Sequence, residues 1–333
     1  MELKRFSNRC PCRLLLWLCL LCVVSTIVVV TLVKSPTDTM VSVQALLPAL
    51  QANALRSLDC PPPLTSDQIA FDITDVMSGR ATLKQDDPKL IERIRSQYLD
   101  PPSLHPYRLT VGDDPSQGQS AAVREIMGNF RDGFFVECGA LDGETRSNSL
   151  VFEKTLGWRG LLVEGDPKNY DLILKKNRKA WTTNACLSTK PYPHSVMFQQ
   201  QFNLGKISSD DVDSPSKKAG ETEVQCLPIY SLLVALNVTT VHYFSLDVEG
   251  VELEVLKTIP WDKVDIKTLS VEFVHGVWSK PDLKRYMEQQ GYWTYKEVSQ
   301  SNGWANDFIF VKNDFKKRED VLRDALTQTK SLH

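Results

Sequence analysis

A surplus of positive charge is the first thing missing from this chain of 333 residues. Lys and Arg total 39 against 41 Asp and Glu, a formal net charge of -2. Proteins that bind nucleic acid carry a basic excess to neutralise phosphates, so no nucleic-acid partner is expected. Cysteine is also scarce, at 8 residues, which excludes a disulfide-built scaffold. With 16 Gly and 18 Pro and no internal repeat, the sequence is neither collagenous nor low-complexity. Past residue 33 no Cys/His cluster has zinc spacing, so no metal site is expected. What remains is a folded-protein composition, 42% hydrophobic and 24% charged. The length suits one large domain or two modest ones.

Charge is absent altogether from Leu14 to Val33, LLLWLCLLCVVSTIVVVTLV. A helix of that length just crosses a hydrocarbon core of about 30 Å. A cleaved signal peptide would have a shorter apolar core and a small-residue site close behind. Here Lys34, Ser35 and Pro36 follow, and an uncleaved anchor is the better reading. Lys4, Arg5, Arg9 and Arg13 precede the span and only Lys34 follows closely. The positive-inside rule then leaves residues 1–13 in the cytosol and the bulk of the chain in the lumen, a type II topology. Asn237-Val238-Thr239 is a glycosylation sequon consistent with that placement.

Residues 34–83 read as a stalk, punctuated by Pro48 and Pro61-Pro62-Pro63. Residues 84–132 read as a helical lead-in, with helices over Pro88–Leu99 and Gln119–Phe130. From 133 to 312 short apolar strands alternate with helical patterns. The strands fall at Phe134–Cys138, Gly160–Glu164, Trp181–Ser188, His242–Asp247 and Thr268–Val274. That alternation predicts an α/β domain with a mainly parallel sheet covered on both faces. Tyr292–Val298 and Asp307–Val311 close it as an antiparallel hairpin, and residues 313–333 form a C-terminal helix or tail.

Candidate chemistry gathers at the predicted strand ends. Glu137 is followed by Gly139 and Gly143, a turn in which backbone can approach a ligand closely. Glu164 ends the next strand, at the place where nucleoside cofactors have their ribose hydroxyls held. A solvated acid at a strand end is the plainer alternative. Asp247 ends a later strand at the functional edge of an open sheet and is a candidate base. Glu249, Glu252 and Glu254 follow, carboxylates that could orient substrate, act as base or hold a cation, and of these Glu252 and Glu254 are read as helix-starting acids with a structural role. His275 reaches the same edge beside Glu272 and is a second acid/base candidate. Four cysteines follow the anchor, and Cys186 with Cys226, which bracket the polar stretch Pro191–Glu223, form the candidate disulfide.

GFFVECGALDGE, LLVEGDPKNYDLILKKN, SLDVEGVELEVLK and VEFVH resemble the FkbM family of S-adenosylmethionine methyltransferases over residues 133–312. That resemblance implies a Rossmann-like methyltransferase fold. Glu137, Gly139, Gly143, Glu164 and Asp247 would then surround S-adenosylmethionine. Two positions depart from the family pattern: Leu141-Asp142 in the first turn, and Gly165 where the second strand is usually followed by Pro. DDPKLIERIRSQYLDPPS, SNSLVFEKTLGWRGLL and the anchor also resemble the Star-like family. The resemblance implies a single-span type II membrane protein of the endoplasmic reticulum and Golgi, with endosome or plasma membrane as further stations. It further implies export of transmembrane, EGF-like precursors of EGF receptor ligands from the one organelle to the other. The alternative is an active O-methyltransferase acting on a lumenal glycan or small molecule. A third reading keeps the fold for structure alone.

Overall fold

Aromatic and β-branched runs make the central sheet of the computed structural model, which describes residues 73–210, 212, 218–321 and 323. The strands in chain order are Phe134–Cys138 (β1), Arg159–Glu164 (β2), Trp181–Asn184 (β3), Cys186–Leu187 (β4), His194–Gln199 (β5), Lys206–Ser209 (β6), Glu221–Leu227 (β7), Thr240–Leu246 (β8), Asp265–Glu272 (β9), Tyr292–Ser299 (β10) and Asn306–Lys312 (β11). Seven of them form one sheet in the order β10-β11-β9-β8-β1-β2-β3. β3, β2, β1, β8 and β9 run parallel, while β11 pairs antiparallel with β9 and with β10. The strand order reverses at β1/β8, so a crevice opens beyond their carboxyl ends. Cys138 is level with Val163 on one side and Leu246 on the other, which brings the ends of three strands to one line.

Seven helices are named among the described residues: Pro88–Gln97 (α1), Gln119–Met127 (α2), Leu150–Leu156 (α3), Pro167–Lys176 (α4), Ile229–Ala235 (α5), Glu252–Lys257 (α6) and Lys280–Gln289 (α7). Three begin on a written signal. Asp87 and Asp166 cap α1 and α4 by accepting the N–H of Lys89 and Lys168, each with Pro next. Ser279 and Asp282 form a reciprocal capping box at α7. Side chains alternate across β1, and the core divides accordingly. Phe134, Val136 and Cys138 pack with α1, α5, α6 and α7 on one face. Phe135 packs with α2, α3 and α4 on the other.

Three expectations are corrected. The stalk expected over 34–83 does not extend through its last residues: Ile73, Val76 and Met77 are buried in the core, with Ala81 and Leu83 packed against it. The single strand expected over Trp181–Ser188 breaks at Ala185. β3 stays in the main sheet, while β4 joins a second sheet of order β4-β7-β5-β6. That second sheet fills the stretch read as a polar insertion, and the disulfide Cys186–Cys226 joins register partners in it. Among the described residues no helix is long and apolar enough to cross a membrane. The expected anchor Leu14–Val33, residues 1–13 and most of the stalk lie outside them.

Candidate functional site

An open cleft lies beyond the carboxyl ends of β1, β2, β8 and β9, walled on one side by the second sheet through Phe198 and Ile207. Glu137, Gly139, Glu164, Asp247 and His275 all line it. Gly143 and Asn237 do not. Gly143 sits behind the turn, where its carbonyl accepts from Arg178 Nη1. Asn237 is exposed in a left-handed turn at the opposite end of β8, its Oδ1 accepting from Arg95 Nη2 at 3.0 Å.

The β1/β2 side is held by hydrogen bonds. Glu137, buried at the end of β1, accepts from Ser147 Oγ at 2.8 Å, from the Asn148 N–H at 2.6 Å and from Ser149 Oγ. Its carboxylate fixes the loop before α3 and is a positioning group for the cleft. Arg178 backs the same loop. It pairs with Glu153 at 3.0 Å, both side chains 1% exposed, and donates to Ser149 Oγ at 3.1 Å. Glu164 accepts the N–H of Leu141 at 2.8 Å and of Asp166 at 2.8 Å, tying the first turn to the second. Burial outweighs those bonds and pushes its pKa up to about 8. Asp142, the departure from the family pattern, turns away from the cleft. It accepts from the N–H groups of Glu144 and Thr145 and from Thr145 Oγ1.

Gly139 is required for a different reason from the one its spacing suggests. Its φ is +76°, and a Cβ there would lie 2.1 Å from the Asp247 carbonyl oxygen. The β1 and β8 turns touch at this glycine. Gly250 plays the same part further along, where a Cβ would meet the His275 carbonyl at 2.6 Å. Leu141, Arg146 and Glu249 also adopt positive φ and all three line the cleft. Such strain persists only where the surroundings enforce it, and it gathers at functional sites.

The β8/β9 side is crowded with acids. Asp247, Glu249, Glu272 and Asp307 line the cleft, with Glu252 fully buried beneath. Burial raises all five, and the charge of Asp247 adds to the rise at the other four, taking Glu249 to about 8, Glu252 to about 7 and Asp307 to about 7. Arg146 opposes the rise at Asp247 and Glu249. His275 Nδ1 lies 2.9 Å from Glu249 and 2.8 Å from Glu272. Its pKa is nonetheless lowered, by burial and by the charge of Lys206. Asp247 Oδ1 and Asn148 Oδ1 are buried without a hydrogen-bond partner. Two trios of ligand-type side chains converge here, Glu249–Glu272–His275 and Asp247–Glu252–Glu272, where none was expected from spacing. Arg178, Asn148 and the Glu252–Glu272 approach had no motif to announce them. The approach exists only because β8 and β9 are neighbours.

Residues 137–293 match the family described as Methyltransferase FkbM domain. Solved structures that match the chain include the METTL16 methyltransferase domain, 13% identical over 71% of this chain and 83% of that one, at a TM-score of 0.36. The human methyltransferase 10 domain containing protein is 15% identical over 69% of this chain and 99% of that one, at 0.35. A TehB-like methyltransferase from Corynebacterium glutamicum is 11% identical over 59% and 87%, at 0.31. No curated protein matches the chain. The chain has a methyltransferase-like α/β fold with a mostly parallel sheet and an antiparallel C-terminal hairpin. The family match supports S-adenosylmethionine as a cofactor of this domain.

Proposed function

We propose that the cleft binds S-adenosylmethionine and methylates a hydroxyl oxygen of a lumenal glycan or small molecule. One observation carries the reading: Glu164, the unpartnered Asn148 Oδ1 and the Asp247–His275 edge face a single crevice at the β1/β8 reversal, inside the matched span. The residues present suit the cofactor. Unpartnered buried acceptors call for a ligand rich in N–H and O–H donors, and the surrounding carboxyls suit a cation. Glu164, Asn148 and the Gly139 turn would hold it. Glu137 and Arg178 act through the loop that they brace.

When bound, the cofactor would supply a methyl group carried on a positively charged sulfur, which is a good leaving group toward an acceptor oxygen. The chain's own work is orientation and proton removal. With the His275 Nδ1–H donating to the Glu249 and Glu272 oxygens, Nε2 carries the free lone pair. A neutral ring can accept the acceptor's hydroxyl proton there, and Asp247 is the second candidate base. Most of the rate gain would come from positioning.

The type II anchor at 14–33 and a lumenal site remain part of this reading. Their supports are the flanking cations and the Cys186–Cys226 disulfide, a bond kept in oxidising compartments. The exposure of Asn237 suits glycosylation there. Export of EGF receptor ligand precursors, implied by the Star-like resemblance, draws on none of the cleft's features, whereas methyl transfer draws on all of them. Titration calorimetry of S-adenosylmethionine into the full-length chain tests the reading. Micromolar binding, weakened roughly tenfold or more in Glu164→Ala, is expected. No binding to folded, oxidised chain would overturn it.

A further inference from the structure

We propose that Asp247, Glu252 and Glu272 form a binding site for one hard divalent cation, Mg2+ or Mn2+, at the β8/β9 edge of the cleft. The three residues come from the loop after β8, the start of α6 and the end of β9, and one ligand atom from each lies within 4.8 Å of the others. That span is about twice a metal–oxygen bond of roughly 2.1–2.4 Å, the separation that ligands around one ion show.

A cluster of acids alone would prove little, but each member also carries a buried oxygen with no partner. They are Asp247 Oδ1, Glu252 Oε2 and Glu272 Oε2. Glu252 is 0% exposed and Glu272 is 6% exposed. Their other oxygens are engaged. Glu252 Oε1 accepts the N–H of Val248 at 2.9 Å and of Gly250 at 3.1 Å, while Glu272 Oε1 faces His275 Nδ1 at 2.8 Å. The two side chains are thereby held, each with its second oxygen buried and unpartnered. Among the described residues no Lys or Arg nitrogen bonds to any of the three. Leaving three such acceptors unpaired in a desolvated site is costly. One divalent ion would satisfy all three, and an all-oxygen donor set selects Mg2+, Mn2+ or Ca2+ over softer metals.

Three protein ligands leave positions open on a six-coordinate ion. An acceptor hydroxyl bound there would lose its proton more easily, and His275 stands beside Glu272 to receive it. This role for the ion rests on the methyltransferase reading; the site itself does not.

Electron paramagnetic resonance of Mn2+ added to the full-length chain tests the proposal. One ion per chain at micromolar affinity is expected, displaced by Mg2+ and weakened at least tenfold in Glu272→Gln. Should Glu272→Gln fail to fold, Asp247→Asn, at the cleft surface, gives the same reading. No bound Mn2+ at millimolar concentration, or binding unchanged in both variants, overturns it. S-adenosylmethionine titrated into the same samples separates the two failures. A chain that binds cofactor but no Mn2+ loses only the ion site, and one that binds Mn2+ but no cofactor loses only the methyltransferase reading.

Discussion

The carboxyl groups on the two sides of the cleft differ in how they are satisfied. On the β1/β2 side, Glu137 has three donors and Glu164 has two backbone N–H groups. On the β8/β9 side, Asp247, Glu252 and Glu272 each keep a buried oxygen with none. The acids of the first side are therefore hydrogen-bonded before any ligand arrives, their loops pinned by bonds already made, and the open acceptor left there is the amide oxygen of Asn148. The second is a set of acceptors whose electrostatics are unresolved until something positive arrives. In the same fold, the acids of one side brace the turns that face the cofactor, while those of the other keep oxygens open to a cation.

The largest effect expected on that contrast is at Arg178. Arg178→Met strands Glu153 as a buried charge and removes the brace behind Ser149, at a cost of about 3–5 kcal/mol by chemical denaturation. A loss under about 1 kcal/mol would show that the β1/β2 side does not depend on this network. Next comes the seam between the sides. Gly139→Ala sets a methyl group against the Asp247 carbonyl at a positive φ, and should cost about 2–3 kcal/mol in thermal unfolding. The last effect, smallest when read per pH unit, is a slope. Glu164 has its folded pKa raised to about 8, from an ordinary value of 4.5. Its stabilising share is complete below pH 4.5 and is lost as pH rises to about 8, by about 1.4 kcal/mol per pH unit. Glu164→Gln should flatten the wild-type decline in unfolding free energy over that window. Identical slopes would place the Glu164 proton wrongly.

Much of the frame was legible in the sequence because it is written in local code. Parallel strands buried on both faces read as apolar runs such as FFVEC and LLVE, and helices start at Asp-Pro or Ser-x-Pro. The second sheet was not legible. Its strand Lys206–Ser209 is half-exposed and carries a single large apolar residue, Ile207, so it gives no hydrophobic period to find. Of the site, Glu164, Asp247 and His275 could be placed at strand ends by counting. Glu137 could be placed too, but its saturation by Ser147, Asn148 and Ser149 depends on how one loop folds back. Glu252 and Glu272 are brought together by strand order, and Arg178 reaches Glu153 across 25 residues; no spacing rule encodes either.

The division between the two sides is tested most directly by crossing two variants with two ligands. Thermal upshifts would be measured for wild type, Glu164→Ala and Glu272→Gln, each with S-adenosylmethionine alone and with Mn2+ alone. The account predicts that Glu164→Ala loses the cofactor's upshift and keeps the ion's, while Glu272→Gln does the reverse. Both upshifts lost together in either folded variant would contradict it.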